Sequence, residues 1–192
     1  MTIDIDEAVR RAVEAKSMLY NMKSWIPDDK RDQELRFLYG LATMAPDGIA
    51  VELGVHRGGS LLCWSCARVG RGPIIAVDNW ESKTEAIFGE NIARYNLDVQ
   101  VITANSYDAP GLIEGQVSFL FDDAAHDETG IPKDILTWPD KILPGGIIAF
   151  HDHGTRKGIV GMVVDAWQSE ARWELIGKVG STIAFRRPNA ET

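Results

Sequence analysis

The sequence predicts an α/β fold: a doubly wound, mostly parallel sheet with helices on both faces, preceded by two helices and closed by an antiparallel hairpin. Five short apolar segments alternate with segments of helical periodicity, which is typical of parallel strands joined by crossover helices. Runs such as residues 74–77 are apolar throughout, as expected for strands buried on both faces. The last two strand-like segments are separated by a turn at Gly180 and Ser181, which indicates an antiparallel pair.

Length and composition favour a single acidic domain. The chain has 192 residues and a formal net charge of −8 at pH 7, and this length is enough for one large core. We expect N-terminal helices over residues 1–46 and an α/β core over residues 47–187. The acidic charge disfavours a nucleic-acid partner. An acidic N-terminus and the lack of a long apolar stretch argue against a membrane partner and favour a cytoplasmic protein.

The first 46 residues predict two amphipathic helices. Apolar residues recur at helical spacing over about residues 6–22, and again from Asp28 or Asp29 to Met44. Residues 25–27 separate the two segments. These helices could cover the sheet, form a lid over a site, or make the contact of a homo-oligomer.

Strands and helices alternate through the rest of the chain. Glycine and proline residues mark the boundaries between the segments. A turn over residues 143–146 is expected before the fifth strand. Strands are predicted over residues 49–53, 74–77, 99–103, 117–121, 147–150, 173–177 and 182–186, and helices over residues 61–68, 83–95, 129–142 and 158–169.

The glycine-rich turn after the first strand indicates a nucleotide pocket. Glycine lets the backbone approach a ligand closely, because it has no Cβ and tolerates positive φ. The glycines are Gly54, Gly58 and Gly59, and His56 stands where a dinucleotide fingerprint requires a glycine. A pyrophosphate ligand is therefore disfavoured. The alternative is an ordinary tight turn between a strand and a helix.

The pattern Glu-x-Gly-x-x-x-Gly in this turn resembles the first motif of the class I S-adenosylmethionine-dependent methyltransferases. The resemblance implies a Rossmann-like fold whose turn binds the methionine end of the cofactor. An acidic side chain suits the cationic groups there, and free backbone N–H groups suit the carboxylate. The residues implied are Glu52, Gly54, Val55, Gly58 and Ser60.

Polar residues that follow the second and third strands are expected to complete the cofactor site. Asp78 ends the second strand, where a carboxylate can accept both ribose hydroxyls, and the resemblance implies that role. Asn79 follows it, and Asn105 or Ser106 could bond the adenine edge. Trp80 could wall the adenine or simply pack. The alternative for all the polar residues is that of ordinary strand-end groups, which bond the nearby backbone.

Acidic and histidine residues follow the fourth and fifth strands. Neighbouring parallel strands end at one cleft about 4.8 Å apart, so these side chains can share a cation or flank a hydroxyl. They are Asp122, Asp123 and His126 after the fourth strand, and His151, Asp152 and His153 after the fifth.

The segments that carry these residues resemble methyltransferase family 24, a branch related to macrocin-type and cephalosporin-biosynthesis O-methyltransferases. The segments are FDDAAH at residues 121–126 and PGGIIAFHD at residues 144–152. The branch tends to carry Asp-Gly-Asp-His after strand four and Phe-His-Asp after strand five. The resemblance spans about residues 48–186.

The chain departs from this branch at one position. Aligned from His126, Asp123 takes the first aspartate position and Ala125 takes the second. An acidic group is therefore missing, unless Asp122 or Asp127 replaces it.

Asp123 and Asp152 are the predicted metal pair, and Asp123 is also expected to contact the cofactor. Aspartate oxygens suit Mg²⁺, and a histidine in the set would also admit Mn²⁺, Fe²⁺ or Zn²⁺. Without a metal, His126, His151 or His153 could act as general base. If the strand stays regular, side-chain alternation points His151 and His153 away from Asp152. The alternative is a set of hydrogen-bonded strand-end groups with no ion.

The resemblance implies O-methylation of a small hydroxylated molecule, such as a sugar or a natural product. S-adenosylmethionine would be the cofactor, with Mg²⁺ or another divalent cation as an option, and His126, His151 and Asp152 are the candidate catalytic residues. A cofactor-binding protein of the same fold without activity is one alternative, supported by Ala125. A nicotinamide-dependent oxidoreductase is another, and His56 argues against it.

The two cysteines, Cys63 and Cys66, form a lone C-x-x-C inside a predicted helix. A redox pair would sit at the start of a helix, directly after a strand. A zinc site would need two more ligands. We expect these cysteines to pack in the core.

Overall fold

The structure is a computed structural model that describes residues 3–17, 28–155, 159–171 and 173–189. Within these residues seven strands form one sheet, and the predicted α/β fold is confirmed. The predicted end of the first helix and the separating segment 25–27 lie outside the described residues. The helices are α1 (Ile5–Ser17), α2 (Asp28–Met44), α3 (Gly59–Trp64), α4 (Glu85–Arg94), α5 (Gly130–Thr137) and α6 (Ile159–Ala171). The strands are β1 (Ile49–Leu53), β2 (Ile74–Asp78), β3 (Gln100–Thr103), β4 (Val117–Asp122), β5 (Ile142–Phe150), β6 (Glu174–Val179) and β7 (Thr182–Arg186).

The strand order, β3-β2-β1-β4-β5-β7-β6, places a crevice at the middle of the sheet. β1 pairs in parallel with both β2 and β4, and β4 pairs in parallel with β5. β7 runs antiparallel to β5 and β6, which forms the predicted hairpin. The chain runs outward from β1 to β3 and then crosses back to β4. The carboxyl ends of β1 and β4 therefore border the point where ligands bind in such sheets.

Side-chain alternation along the strands sorts their residues between two core layers. Leu53 joins the layer that includes Val164 of α6. Ala50 points to the opposite face and joins Leu38 of α2 and Phe88 of α4. Helices therefore cover both faces, which explains why the central parallel strands β1, β2 and β4 are mostly apolar.

The N-terminal helix α1 packs outside this sandwich, and the two cysteines lie in its contact with α3. Ala8 and Ala12 share a buried cluster with Cys63 and Cys66, and both cysteines are free thiols. Burial raises the pKa of both thiols. The prediction that these cysteines pack in the core is confirmed.

The predicted helix over residues 129–142 is too long, and the predicted turn over residues 143–146 belongs to β5. A 3₁₀ turn over Pro139–Lys141 follows α5, because proline has no N–H with which to continue the helical hydrogen bonds. The N–H of Gly145 donates to the carbonyl oxygen of Arg187 at 3.0 Å. Pairing with a distant part of the chain therefore helps to keep residues 143–146 in the strand.

A buried arginine, Arg68, joins the end of α2 to the start of the sheet. Its side chain is about 1% exposed. Burial lowers the pKa of Arg68 to about 10, which leaves the guanidinium protonated at neutral pH. It donates hydrogen bonds to the carbonyl oxygens of Ala45 (3.2 Å), Pro46 (2.8 Å) and Gly48 (2.9 Å) and to Ser118 Oγ (2.9 Å).

Replacing Arg68 with methionine should lower the free energy of unfolding by about 3 kcal/mol. Several carbonyl oxygens lose their donor, at about 1–3 kcal/mol for each that stays buried and unsatisfied. Urea denaturation measures the change. Arg71→Met is the matched control: Arg71 bonds the same helix end, but its side chain is 27% exposed, so water can replace it. Equal losses in the two variants would contradict the prediction.

Candidate active site

A cavity of about 740 Å³ lies at the carboxyl ends of β1, β2 and β4. Its volume falls in the range of small-molecule sites, about 300–1,000 Å³. The predicted site residues that line it are Gly54, Val55, Ser60, Asp78, Asn79, Asn105, Ser106, Asp123 and His126. The predicted residues that do not line it are Glu52, Gly58, His151 and Asp152.

The glycine turn brings the end of β1 against the end of β4. Gly54 has a φ of 76°, and a Cβ at this position would lie 2.4 Å from the carbonyl oxygen of Asp123. No side chain fits in that space. Gly58 also has a positive φ, 81°, and is the N-cap of α3, but it does not line the cavity. The turn is therefore a backbone cradle that depends on glycine for its shape.

Glu52 supports the cradle from behind. Its side chain is fully buried. One carboxylate oxygen accepts a hydrogen bond from Ser60 Oγ at 2.6 Å, and the other accepts one from the indole nitrogen of Trp64. This geometry holds α3 against β1, whereas the resemblance implied a carboxylate near the cationic groups of the cofactor.

Asp78 is held in position by two backbone amides. Its Oδ2 accepts a hydrogen bond from His56 N at 2.8 Å, and its Oδ1 accepts one from Trp80 N at 2.7 Å. Each carboxylate oxygen has a further lone pair, which suits a pair of neighbouring hydroxyls. Trp80 packs on Phe88 with ring centroids 5.4 Å apart and does not line the cavity. Of the two predicted roles for Trp80, the structure shows packing.

The far end of the cavity carries amide and hydroxyl groups. Asn79 Nδ2 donates to Asn105 Oδ1 at 3.2 Å, which joins the segments that follow β2 and β3. Ser106 Oγ donates to Asp134 Oδ2 at 2.7 Å, and burial raises the pKa of Asp134 to about 6. Tyr107 completes this end, and sequence reasoning missed it. A polar edge of this kind fits the rim of a purine base.

Asp123, His126 and Asp152 form a cluster beside the cavity, and Asp123 and His126 also line it. Their ligand atoms all lie within 4.8 Å of one another. His126 Nε2 is 3.2 Å from Asp152 Oδ2 and 3.8 Å from Asp123 Oδ1. One imidazole nitrogen and two carboxylate oxygens form a donor set that suits a divalent cation.

Asp122 and Asp127, the two acids that could replace the missing one at Ala125, both accept backbone hydrogen bonds. Asp122 is buried, its Oδ1 accepts a hydrogen bond from Ala124 N, and burial raises its pKa well above the usual range. Asp127 Oδ1 accepts from the N–H groups of Thr129 and Gly130. Asp127 therefore caps the start of α5, although it also lines the cavity.

The predicted orientation of His151, pointing away from Asp152, is wrong. β5 ends at Phe150, and Asp152 has a φ of 58°, so side chains no longer alternate beyond the strand. His151 Nδ1 lies 3.0 Å from Asp123 Oδ1 and 3.7 Å from Asp152 Oδ1, on the same side as Asp152.

His153 lies apart from this cluster. Its Nε2 is 2.9 Å from Asp165 Oδ1, and its Nδ1 is 2.8 Å from Lys178 Nζ. An ammonium group can only donate, so Nδ1 accepts and Nε2–H donates to Asp165. Both ring nitrogens are thus committed away from the cavity, and the general-base role suggested for His153 loses its geometric basis.

Two residues far away in the sequence reach His151. Ser181 Oγ lies 3.1 Å from His151 Nε2, and Glu34 Oε2 lies 3.7 Å from the same nitrogen. Burial alone would lower the pKa of His151, but the carboxylates of Asp123, Glu34 and Asp152 raise it to about 10. The surrounding carboxylates therefore favour the protonated form of the ring.

Sequence reasoning missed Glu34 and Ser181. One signal was available for Glu34: it stands four residues before Leu38, on the buried face of α2. A charged residue at an inward position of an amphipathic helix indicates a specific partner. Nothing local marks Ser181, which follows an ordinary glycine turn.

Comparisons with known proteins agree with this geometry. The sequence model of the methyltransferase domain family 24 matches residues 51–153. No curated protein sequence matches the chain.

Three solved structures illustrate the likeness of fold. The S-adenosylhomocysteine-bound methyltransferase PaMTH1 of Podospora anserina has a TM-score of 0.70 and 18% identity, over 95% of this chain and 88% of that one. The O-methyltransferase TomG of Streptomyces achromogenes, which is involved in tomaymycin synthesis and was solved with S-adenosylmethionine, has a TM-score of 0.66 and 16% identity, over 97% and 92%. An rRNA methylase of Streptococcus thermophilus has a TM-score of 0.61 and 12% identity, over 83% and 97%.

At these identities the structural likeness shows the fold alone, while the family match covers the glycine turn, Asp78 and the cluster around Asp123. The cavity combines a glycine cradle, an oriented carboxylate and a polar rim, the features expected of a site for the methyl-donor nucleoside. The chain belongs to methyltransferase family 24 and is a class I S-adenosylmethionine-dependent methyltransferase.

Proposed function

We propose that this methyltransferase is an O-methyltransferase that acts on a small hydroxylated molecule, such as a sugar or a natural product, with the help of a divalent cation. The observation that carries the proposal is the position of the Asp123, His126 and Asp152 cluster. Two of its members also line the cofactor cavity. A hydroxyl bound beside the cluster would therefore stand next to the methyl donor.

When bound, the cofactor would supply a sulfonium methyl group, which is transferred to the acceptor oxygen while the C–S bond breaks and S-adenosylhomocysteine leaves. Asp123, His126 and Asp152 would hold the cation. As a Lewis acid, the cation would lower the pKa of a bound hydroxyl. The chain's own residues orient the reactants. The carboxylate of Asp78 binds the ribose, and the glycine turn at Gly54 determines how far the methionine end of the cofactor enters the cavity.

Without a cation, His126 is the candidate general base. Its Nε2 lies 3.2 Å from Asp152 Oδ2, so the carboxylate can hold the Nε2 proton and stabilise the imidazolium that forms. Nδ1 is buried and has no hydrogen-bond partner among the described residues, so the ring would have to turn for Nδ1 to accept the hydroxyl proton. His151 fits this role less well, because its two ring nitrogens face Ser181 and Asp123.

The choice of acceptor rests on charge and size. A net charge of −8 opposes a polyanionic acceptor, although rRNA methylases are among the proteins of similar fold. Among the described residues, the helices are too short or too polar to cross a bilayer. A small neutral hydroxyl compound suits the cavity best.

The test combines cofactor binding with methyl transfer. Calorimetry should show micromolar binding of S-adenosylhomocysteine and no binding of NAD. Mass spectrometry of reactions with a panel of sugars, catechols and macrolide-type alcohols should detect a methylated product, with the rate lowered by EDTA and restored by Mg²⁺ or Mn²⁺. Cofactor binding without transfer to any acceptor would favour the inactive alternative. If EDTA does not affect the activity, the cation takes no part in the reaction and His126 is the remaining candidate for the base.

Replacing Asp78 with alanine should weaken S-adenosylhomocysteine binding by about 1–3 kcal/mol, the range for hydrogen bonds to a charged group. Asp78 is the carboxylate that two backbone amides hold toward the cavity. Calorimetry measures the change. Asp98→Ala is the matched control, because Asp98 is exposed and lies outside the cavity. An unchanged affinity in the Asp78 variant would refute the ribose assignment.

A further inference from the structure

We propose that Glu34 and Ser181 are positioning residues that set the His151 ring and, through it, the aspartates of the catalytic cluster. Both residues lie outside the part of the chain that the family model matches, residues 51–153. The inference rests on the proposed function, since it assigns a role within the same site. It makes α2 and the β6–β7 turn parts of the active site.

The side chain of Glu34, which belongs to α2, packs against the β6–β7 turn. Its side chain is nearly buried, at 8% exposure. Its Oε1 accepts hydrogen bonds from Ser181 N at 2.5 Å and from Ser181 Oγ at 2.8 Å. A Cβ at Gly180 would lie 2.2 Å from the same oxygen, and Gly180 has a φ of 58°. A glycine is needed for the turn to close around this carboxylate.

The direction of these hydrogen bonds fixes the His151 ring. Ser181 Oγ has one proton, and that proton is donated to Glu34. Its 3.1 Å contact with His151 Nε2 therefore requires the histidine to donate. With Nε2–H directed to Ser181, the opposite nitrogen, Nδ1, lies 3.0 Å from Asp123 Oδ1, an ion-pair contact that is not aligned as a hydrogen bond. Glu34 thus decides which way the ring is turned toward the cluster.

The same turn also anchors the segment that carries Asp152. His153 N donates to the carbonyl oxygen of Ser181 at 2.9 Å, and His151 N donates to the carbonyl oxygen of Asp122 at 2.9 Å. The residues on either side of Asp152 are therefore tied to β4 and to the β6–β7 turn. A partner that orients a ligating group typically changes metal affinity by about 10–100-fold when it is removed.

The alternative is that Glu34 only fastens α2 to the sheet. That helix has other attachments: Leu38 and Leu41 are buried in the core, and Arg68 bonds the carbonyl oxygens at its end. Removing the charge of Glu34 should therefore leave α2 in place. A purely structural role predicts a change in melting temperature and no specific change at His151.

The experiment compares Glu34→Gln and Ser181→Ala with Glu14→Gln. Glu14 is the matched control, because its carboxylate ties α1 to Tyr95, away from the cluster. Nitrogen-15 NMR of labelled histidine rings reports the His151 Nε2–H group directly and needs neither metal nor acceptor. Mn²⁺ binding followed by electron paramagnetic resonance reports the cluster. S-adenosylhomocysteine calorimetry and thermal melting report the cavity and the fold.

We expect the His151 Nε2–H signal to be sharp in the wild type and in Glu14→Gln, and to shift or broaden in Glu34→Gln and Ser181→Ala. Mn²⁺ affinity should fall by about 10–100-fold in the same two variants, while S-adenosylhomocysteine affinity stays within about twofold of the wild type, since neither residue lines the cavity. Unchanged His151 signals in both variants would overturn the inference. So would loss of cooperative melting in both, which would identify a structural tie.

The same measurements test the cation assignment separately from the positioning role of Glu34 and Ser181. If the wild type binds no Mn²⁺, the cation assignment falls, and the ring signals alone then decide whether Glu34 and Ser181 position His151. If the ring signals shift but Mn²⁺ affinity does not, the effect stops at His151 and the proposed link to the aspartates is refuted.

Discussion

Replacing Asp152 with asparagine should lower kcat for methyl transfer by about 10²–10⁴-fold. This is the usual contribution of general acid–base catalysis, and Asp152 contacts the candidate base, His126. The carboxylate faces His126 Nε2 at 3.2 Å and is one of the three candidate ligands. Asparagine keeps the size of the side chain and tolerates the positive φ of 58° at this position. Steady-state kinetics with the acceptor identified from the panel measures the loss.

Cofactor affinity and a second variant separate chemistry from folding in this experiment. Asp152 does not line the cavity, so S-adenosylhomocysteine affinity should change less than about twofold. Asp165→Asn is the matched control, because Asp165 is 68% exposed and bonds His153 outside the cluster. A kcat for Asp152→Asn close to that of Asp165→Asn would show that the cluster takes no part in the reaction.

Replacing Gly54 with alanine should destabilise the fold by about 2–5 kcal/mol and abolish measurable S-adenosylhomocysteine binding. A left-handed backbone costs a residue with a Cβ about 1–2 kcal/mol, and overpacking costs about 1–3 kcal/mol more. The clash is with backbone, since the new Cβ would lie 2.4 Å from the carbonyl oxygen of Asp123. Either β1 or β4 must shift, and the shift would open the cradle.

Gly40→Ala is the control for this substitution. Gly40 lies within α2, and a Cβ there would have nothing within 4 Å. Alanine in a helix is favoured over glycine by about 0.5–1 kcal/mol, so this variant should be as stable as the wild type or slightly more so. Denaturant unfolding and calorimetry on both variants provide the comparison. Full cofactor binding by Gly54→Ala would mean that the cradle is not part of the site.

Local chemistry explains why so much of the cofactor cavity could be predicted. The turn at Gly54, the strand-end Asp78 and the polar pair at Asn105 and Ser106 each follow a strand whose apolar pattern is plain in the sequence. Parallel strands bring their carboxyl ends to one edge, so residues that are separate in the chain are expected to meet. The structure places them around one cavity, and their individual roles in binding stay predictions.

The direction of the Glu52 side chain could not be predicted from its neighbours in the sequence. Its position at the end of a strand fits two roles, one facing the ligand and one facing the core. The side chain turns to the core because Ser60 and Trp64 of α3 offer it hydrogen bonds there. That choice depends on how α3 packs on β1, which strand and helix periodicity do not specify.

The sequence by itself determined the alternation of strands and helices, the closing hairpin, the glycine turn and the acids and histidines that follow β4 and β5. These features depend on neighbours within a few residues, where hydrophobic period and turn chemistry act. The tertiary structure alone decided the orientation of His151, the position of His153 outside the cluster and the position of Glu34 beside His151. Glu34 and Ser181 are 147 positions apart in the chain, and their contact exists because α2 packs beside the β6–β7 turn, which no local pattern encodes.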